Sequence, residues 1–173
     1  MTSRRVTPRA RTLRIGVISD THIPSRTRRL PEKVVETFSG TDLIIHAGDA
    51  VERGVIERLE EIAPTVVVEG NCERFAAPKT RVVQTPCHAV GVAHHPPRRL
   101  DAAFLTELFG EPVDAVISGH THRSSINWMD GILFMNPGSP MFPRDGFRSV
   151  ILLEAGDELL PEIRILGEAG GGD

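Results

Sequence analysis

Short apolar runs that stop abruptly at a polar residue recur along this chain, and stretches of helical spacing separate the first three. Residues 13–19 hold Ile15, Val17 and Ile18 together and break at Asp20, as a buried strand would. Pro31, at a first-turn position, predicts a helix over 31–38. A second apolar run, 42–46, breaks at Gly48 and Asp49. Val51, Val55, Ile56, Leu59 and Ile62 then keep helical spacing over 51–62, and Pro64 closes the segment. A third strand, 66–68, ends at Gly70 and Asn71. This β-α-β-α-β order belongs to an open α/β sheet, in which ligands bind outside the carboxyl ends of the strands.

From residue 81 onward the rhythm changes. Two short strands are expected over 81–85 and 89–93, a helix over 100–109 and a buried strand over 113–118. Hairpin signals follow: 124–128 and 132–135 joined by Asp130-Gly131, then 147–153 and 158–165 around Gly156-Asp157. A parallel start that gives way to hairpins predicts two packed sheets with helices outside. The 173 residues suffice for one core, and no linker or internal repeat divides them. One domain over 14–166 is expected, between a disordered basic tail (1–13) and a flexible end (167–173).

Composition narrows the class. With 40% hydrophobic and 25% charged residues the chain is an ordinary globular protein, neither disordered nor fibrous. No apolar run approaches the roughly 20 residues of a membrane-spanning helix, and the N-terminus lacks a signal-like apolar region, so a cytoplasmic protein without a membrane partner is expected. Cys72 and Cys87 are too few for a disulfide framework; reduced thiols are expected, with Cys87 a buried small apolar residue. A net charge of -3 argues against stable nucleic-acid binding. Arg4, Arg5, Arg9, Arg11 and Arg14 make the first residues basic, either a solvated arm or a targeting or nucleic-acid-binding segment with no apolar face to dock.

Five polar clusters sit where strand signals end: Asp20-Thr21-His22, Gly48-Asp49, Gly70-Asn71-Cys72-Glu73, His94-His95 and Gly119-His120-Thr121-His122. Any one alone reads as a turn or a satisfied polar group; five together read as ligands. Residues two apart in an extended segment point to one side, which would pair Asp20 with His22 and His120 with His122. Carboxylate, imidazole and amide without a thiolate pair suit manganese, iron, nickel or zinc in an N/O site. The seven candidates Asp20, His22, Asp49, Asn71, His94, His120 and His122 exceed one metal's needs. Two ions about 3.5–4 Å apart that share a carboxylate would use them, generate a hydroxide nucleophile and clamp the oxygens of a phosphoryl displacement, so a small phosphate ester is the expected substrate.

The ordered set Asp-x-His, Gly-Asp, Gly-Asn, His and Gly-His-x-His, followed by Asn136-Pro137-Gly138-Ser139, resembles the calcineurin-like metallophosphoesterases, and within them the small YfcE-like phosphodiesterases, from Arg14 to about Ile165. The resemblance implies a four-layer αββα sandwich of two mixed β-sheets flanked by helices, and leaves a homo-oligomer open. It implies one ion on Asp20, His22, Asp49 and His122 and a second on Asp49, Asn71, His94 and His120. Asp49 would bridge two divalent ions, manganese first among the candidates. Asp49, Asn71 and His94 would serve phosphodiester hydrolysis by a metal-bridging hydroxide.

Two departures from the family pattern stand out. Many members carry Gly-Asn-His-Asp/Glu where this chain has Gly70-Asn71-Cys72-Glu73. A thiol of ordinary pKa, about 8.5, donates a proton feebly, which favours leaving groups that need little protonation. The Cys form also occurs in the YfcE-like group, and a nucleophilic Cys72 is the rival reading. His95 stands where the family typically has glycine, and could touch substrate, replace the missing acid or fill space. His46 is placed to hydrogen-bond behind the ligands. Arg26, Arg74, Arg98 and Arg123 follow the motifs closely, as phosphate-binding guanidiniums would, although 18 arginines against two lysines make accidental proximity common. Cys72, His95, Arg26 and Arg74 are the expected substrate contacts, and Gly138 and Ser139 the expected wall of the cleft. The chain also resembles the metallophosphoesterase-like subunit of the retromer sorting complex, an interaction scaffold. Cys72 favours that alternative and the full ligand set opposes it.

Overall fold

The computed structural model describes residues 11–23 and 29–169; the start of the basic tail, Arg26 and the last four residues lie outside this range. The elements are β1 (Leu13–Ile18), α1 (Glu32–Phe38), β2 (Leu43–His46), α2 (Arg53–Glu60), β3 (Thr65–Val67), β4 (Thr80–Gln84), β5 (Ala89–Ala93), α3 (Ala102–Phe109), β6 (Ala115–Ile117), β7 (Ser124–Met129), β8 (Ile132–Pro137), β9 (Phe147–Ala155) and β10 (Leu159–Glu168). Each falls within a few residues of its expected place. Among the described residues regular structure runs from Leu13 to Glu168, slightly beyond the 14–166 span at both ends. No helix among the described residues is long and apolar enough to cross a membrane.

Two mixed five-stranded sheets form, ordered β10-β9-β1-β2-β3 and β4-β5-β6-β8-β7. In the first, β1, β2 and β3 are parallel, while β9 runs antiparallel to β1 and β10 to β9. In the second, β5, β6 and β8 are parallel between antiparallel edges β4 and β7. The expected division into an early parallel part and a late antiparallel part is therefore too simple. The β9–β10 hairpin returns to the first sheet and pairs with β1. A physical reason is visible in β9, where Ile151, Leu153 and Ala155 are buried on one face and Val150 and Leu152 on the other. A strand apolar on both faces belongs inside a covered sheet, not at an edge.

Three apolar clusters define the four layers. Ile15, Val17, Ile45, Val90, Val92, Ile117, Leu133, Met135, Ile151 and Leu153 fill the space between the sheets. The opposite face of the first sheet, with Ile44, Val150 and Leu152, packs on Val34 and Phe38 of α1 and Val55, Ile56 and Leu59 of α2. Val116 and Ile132 of the second sheet pack on Leu105 of α3, which is capped by the Asp101 carboxylate accepting the Phe104 N–H at 3.0 Å. Period-two alternation thus sends each strand's residues to two different cores.

Gly16 shows how tightly the first helix layer lies. A Cβ there would stand 2.8 Å from the Phe38 ring, which is fully buried. Gly16→Ala should lower the unfolding free energy by about 1–3 kcal/mol, the usual cost of overpacking. Urea denaturation checks this, and an unchanged midpoint would mean that the ring moves aside freely.

Candidate metal centre

β1, β2 and β3 of one sheet and β5 and β6 of the other send their following loops to one rim. Asp20 and His22 follow β1, Asp49 follows β2, Asn71 lies beyond β3, His94 follows β5, and His120 and His122 lie beyond β6. Asp20, His22, Asp49, His120 and His122 have left-handed backbone, with φ of 52°, 44°, 59°, 68° and 57°. Such conformations cost on the order of 1–3 kcal/mol each and persist where the surroundings over-determine them. Here the loops zip together: Asp20 N–H donates to the Gly48 carbonyl and His22 N–H to the Asp49 carbonyl, both at 3.0 Å, and Gly119 N–H to the His94 carbonyl at 2.9 Å. The two sheets are joined by His120 N–H donating to Asp20 Oδ2 at 2.9 Å. The expectation of extended same-side pairs is corrected accordingly. Tight turns, not strand pleat, aim these side chains, and His120 and His122 part to different clusters.

In the first cluster, His122 Nε2 lies 3.4 Å from Asp20 Oδ1 and 3.2 Å from His22 Nε2. In the second, His94 Nε2 lies 3.0 Å from Asn71 Oδ1, which is 3.1 Å from His120 Nδ1. Asp49 joins them, for its Oδ2 is 3.4 Å from Nε2 of both His22 and His94. Its Oδ1 is turned away and accepts the N–H groups of Asn71 at 2.5 Å and Cys72 at 3.0 Å. A Cβ on Gly70 would collide with that same Asp49 carboxylate and its backbone nitrogen.

The donor atoms fit divalent cations. Asp20 Oδ2 is bonded by Ser19 Oγ at 2.5 Å, whereas Asp20 Oδ1 is buried with no hydrogen-bond partner and faces His22 and His122. An unpaired buried carboxylate oxygen among imidazole nitrogens is costly unless a cation completes it. His94 Nδ1 donates to the Ala47 carbonyl at 2.8 Å and His122 Nδ1 to the Phe142 carbonyl at 2.6 Å, which leaves each Nε2 as the nitrogen that could hold a cation. Burial alone would push the Asp49 carboxyl up, but its hydrogen bond and charge contact with His94 and the two backbone N–H groups outweigh burial and hold it well below the usual range. Burial lowers His22 despite Asp49 and Asp20. For His94 burial is overcome by the Asp49 hydrogen bond and the Ala47 carbonyl, and its pKa rises. Behind the cluster, buried His46 is pushed down to about 3, chiefly by burial, and stays neutral with Nε2 3.2 Å from Thr21 Oγ1.

The remaining expected residues are placed as follows. Cys72 is exposed beside the cluster, its thiol raised first by burial and then by the charges of Asp49, Glu73 and Asp20. His95 is exposed, with its ring 4.3 Å from that of His120. The Arg74 guanidinium pairs with Glu52 at 3.5 Å. Cys87 is exposed rather than buried, because it sits in the short turn that Thr85 N–H and the His88 carbonyl close at 2.8 Å.

Three supporting residues carried no signal beyond their place in a motif. Glu73 braces two ligand loops at once, Oε1 accepting Ala50 N–H at 3.0 Å and Oε2 accepting Gly70 N–H at 2.6 Å. Ser139 Oγ donates to the Asp20 carbonyl at 2.7 Å, and Asn136 Nδ2 to the Gly119 carbonyl at 2.8 Å. The Asn-Pro-Gly-Ser turn is thus an anchor for the ligand loops as well as a wall.

Comparison with known proteins finds relatives in both sequence and structure. Residues 13–158 match the calcineurin-like phosphoesterase superfamily domain. A protein of Methanocaldococcus jannaschii described as a probable metallophosphoesterase is 39% identical over 153 residues, covering 86% of this chain and 79% of that protein. Vacuolar protein sorting 29 from Cryptosporidium parvum superposes with a TM-score of 0.72 at 19% identity, over 90% of this chain and 98% of the other. A solved archaeal phosphodiesterase gives 0.69 at 22% identity, over 89% of this chain and all of the other, 100%. At these identities the two solved structures show the shared fold.

Glu73→Ala should weaken manganese binding by about 10–100-fold, the usual effect of losing a residue that orients ligands. Titration calorimetry checks this alongside circular dichroism. Unchanged affinity would mean that the loops converge without the brace.

Proposed function

Because the chain belongs to the calcineurin-like phosphoesterase superfamily, we propose that it is a dimetal phosphodiesterase acting on small phosphate diesters. The observation that carries this reading is Asp49 Oδ2, a single oxygen 3.4 Å from a histidine of each cluster. Asp20, His22 and His122 would hold one ion with Asp49, and Asn71, His94 and His120 the other. Two divalent ions, with manganese the expected species for this N/O donor set, supply an activated water and neutralise charge on the phosphate oxygens. Asp49 keeps its charge because the Asn71 and Cys72 N–H groups hold Oδ1. The strained loops fix the ligand geometry before substrate arrives.

Diester preference follows from Cys72. A thiol raised above its ordinary pKa is neutral near pH 7, so it is neither a thiolate nucleophile nor a ready proton donor. Substrates whose leaving group departs with little proton assistance suit such a site. Exposed His95, beside His120, and Arg74 at the edge offer polar contacts for the rest of the substrate.

Chelation and dialysis should abolish hydrolysis of bis(p-nitrophenyl) phosphate, and manganese should restore it. Undiminished turnover in verified metal-free protein would overturn the reading. Metal-loaded protein that cleaves neither aryl diesters nor aryl monoesters would instead be a scaffold. Cys72→Ser should retain most diesterase activity, whereas Cys72→His should raise monoester cleavage, by up to about a hundredfold, since imidazole can protonate the departing oxygen. Loss of activity in Cys72→Ser at full metal occupancy would identify Cys72 as the nucleophile.

A further inference from the structure

β10 forms an outer edge of the first sheet and pairs only with β9 among the described strands. Its hydrogen-bonding phase follows from one residue. Pro161 stands opposite Leu153 and has no N–H to give, so this pair is not of the hydrogen-bonded kind. Leu160, Glu162 and Arg164 therefore bond to β9, and Pro161, Ile163 and Ile165 direct their backbone groups outward. The turn agrees, because Gly156 N–H donates to the Glu158 carbonyl at 3.1 Å, which sets the same parity.

This edge is open over a limited stretch that carries both apolar and charged side chains. Leu160 and Ile165 are each 55% exposed, and Trp128, 58% exposed, lines with Leu160 and Pro161 a groove of about 560 Å³ along it. Beyond Ile165 the strand bulges and Lys33 Nζ donates to the Leu166 carbonyl at 2.8 Å, which closes that end. Residues 160–165 remain available.

We propose that a second copy of this chain pairs here, β10 against β10 in antiparallel sense about a two-fold axis at Ile163, so that the two first sheets become continuous. In this register the Ile163 residues exchange backbone hydrogen bonds, and each Ile165 N–H reaches the Pro161 carbonyl of the other copy. Ile165 then covers Pro161 beside the Trp128 groove. Glu162 meets Arg164 across the axis on both sides, and each carboxylate, already 2.9 Å from Arg164 of its own strand, gains a second guanidinium. Shifting the axis to Glu162 or Arg164 would set like charges opposite one another, which is destabilising. The charge pattern is complementary to itself in one register, and that singles out a second copy over an unrelated strand. Pro161 limits the edge to this short pairing and guards against open-ended association. The inference does not depend on the proposed hydrolytic function.

Sedimentation velocity of the full chain, up to about 200 µM, should give a species of about twice 18.9 kDa. Glu162→Arg and Arg164→Glu should each weaken the dimer by about tenfold or more, since each replaces two attractive contacts by two repulsive ones. The double variant E162R/R164E should recover wild-type affinity to within about threefold, with circular dichroism confirming the fold throughout. A monomer across the whole range, single variants that associate like wild type, or a folded double variant that fails to recover would each overturn the proposal.

Discussion

One carboxylate imposes the geometry of the whole rim. Asp49 must present Oδ2 to His22 and His94 at once, and it can do so only while Oδ1 is held elsewhere. The Asn71 and Cys72 N–H groups provide that hold, and they can approach because Gly70 has no Cβ to strike Asp49. The same closeness recurs at Gly48, where a Cβ would stand 2.7 Å from His94 Nδ1. Four loops from two sheets thus converge on one carboxylate, two of them on Oδ2 and one on Oδ1 of the residue the fourth carries. Their sequences are Gly-rich where the backbone must pass and polar where it must bond.

Convergence of this kind is strained, and the core keeps the strain in place. Five of the seven candidate ligands lie in left-handed backbone, a region β-carbon-bearing residues avoid. Ser19, through the Gly138 carbonyl, and Glu73, Asn136 and Ser139, through carbonyl and N–H groups of other loops, tie those turns to one another. Beneath them, strands buried on both faces give the turns fixed points of attachment. A rigid pair of sheets lets the loops hold conformations that isolated peptides would leave.

Much of this was legible in the sequence, for reasons that also explain the gaps. Apolar runs ending in Asp20, Asp49 or His94 marked both a strand and its functional end, since the strand is buried and the following loop is not. The return of β9 and β10 to the first sheet was hidden, because a hairpin signal such as Gly156-Asp157 gives local pairing and says nothing about which sheet receives it. Asp20, His22 and His122 were recognisable by chemical type, but their positive φ values were not, as backbone conformation there is set by contacts between loops distant in sequence. Glu73 and Ser139 went unrecognised as anchors for the same reason. Each bonds to main-chain atoms of another segment, and main chain carries no sequence signal. Cys87 was misjudged because a small apolar side chain at a turn tip lacks the neighbours that would bury it.

The proposed sharing of Asp49 by two ions would separate this arrangement from two independent sites, and magnetic coupling would report it most directly. Electron paramagnetic resonance of the manganese-loaded chain, with metal content determined in parallel, should show two ions per chain with exchange-coupled spectra. Asp49→Ala should lose the coupling. A single ion per chain, or two ions with the spectrum of isolated manganese in the intact protein, would contradict a shared carboxylate.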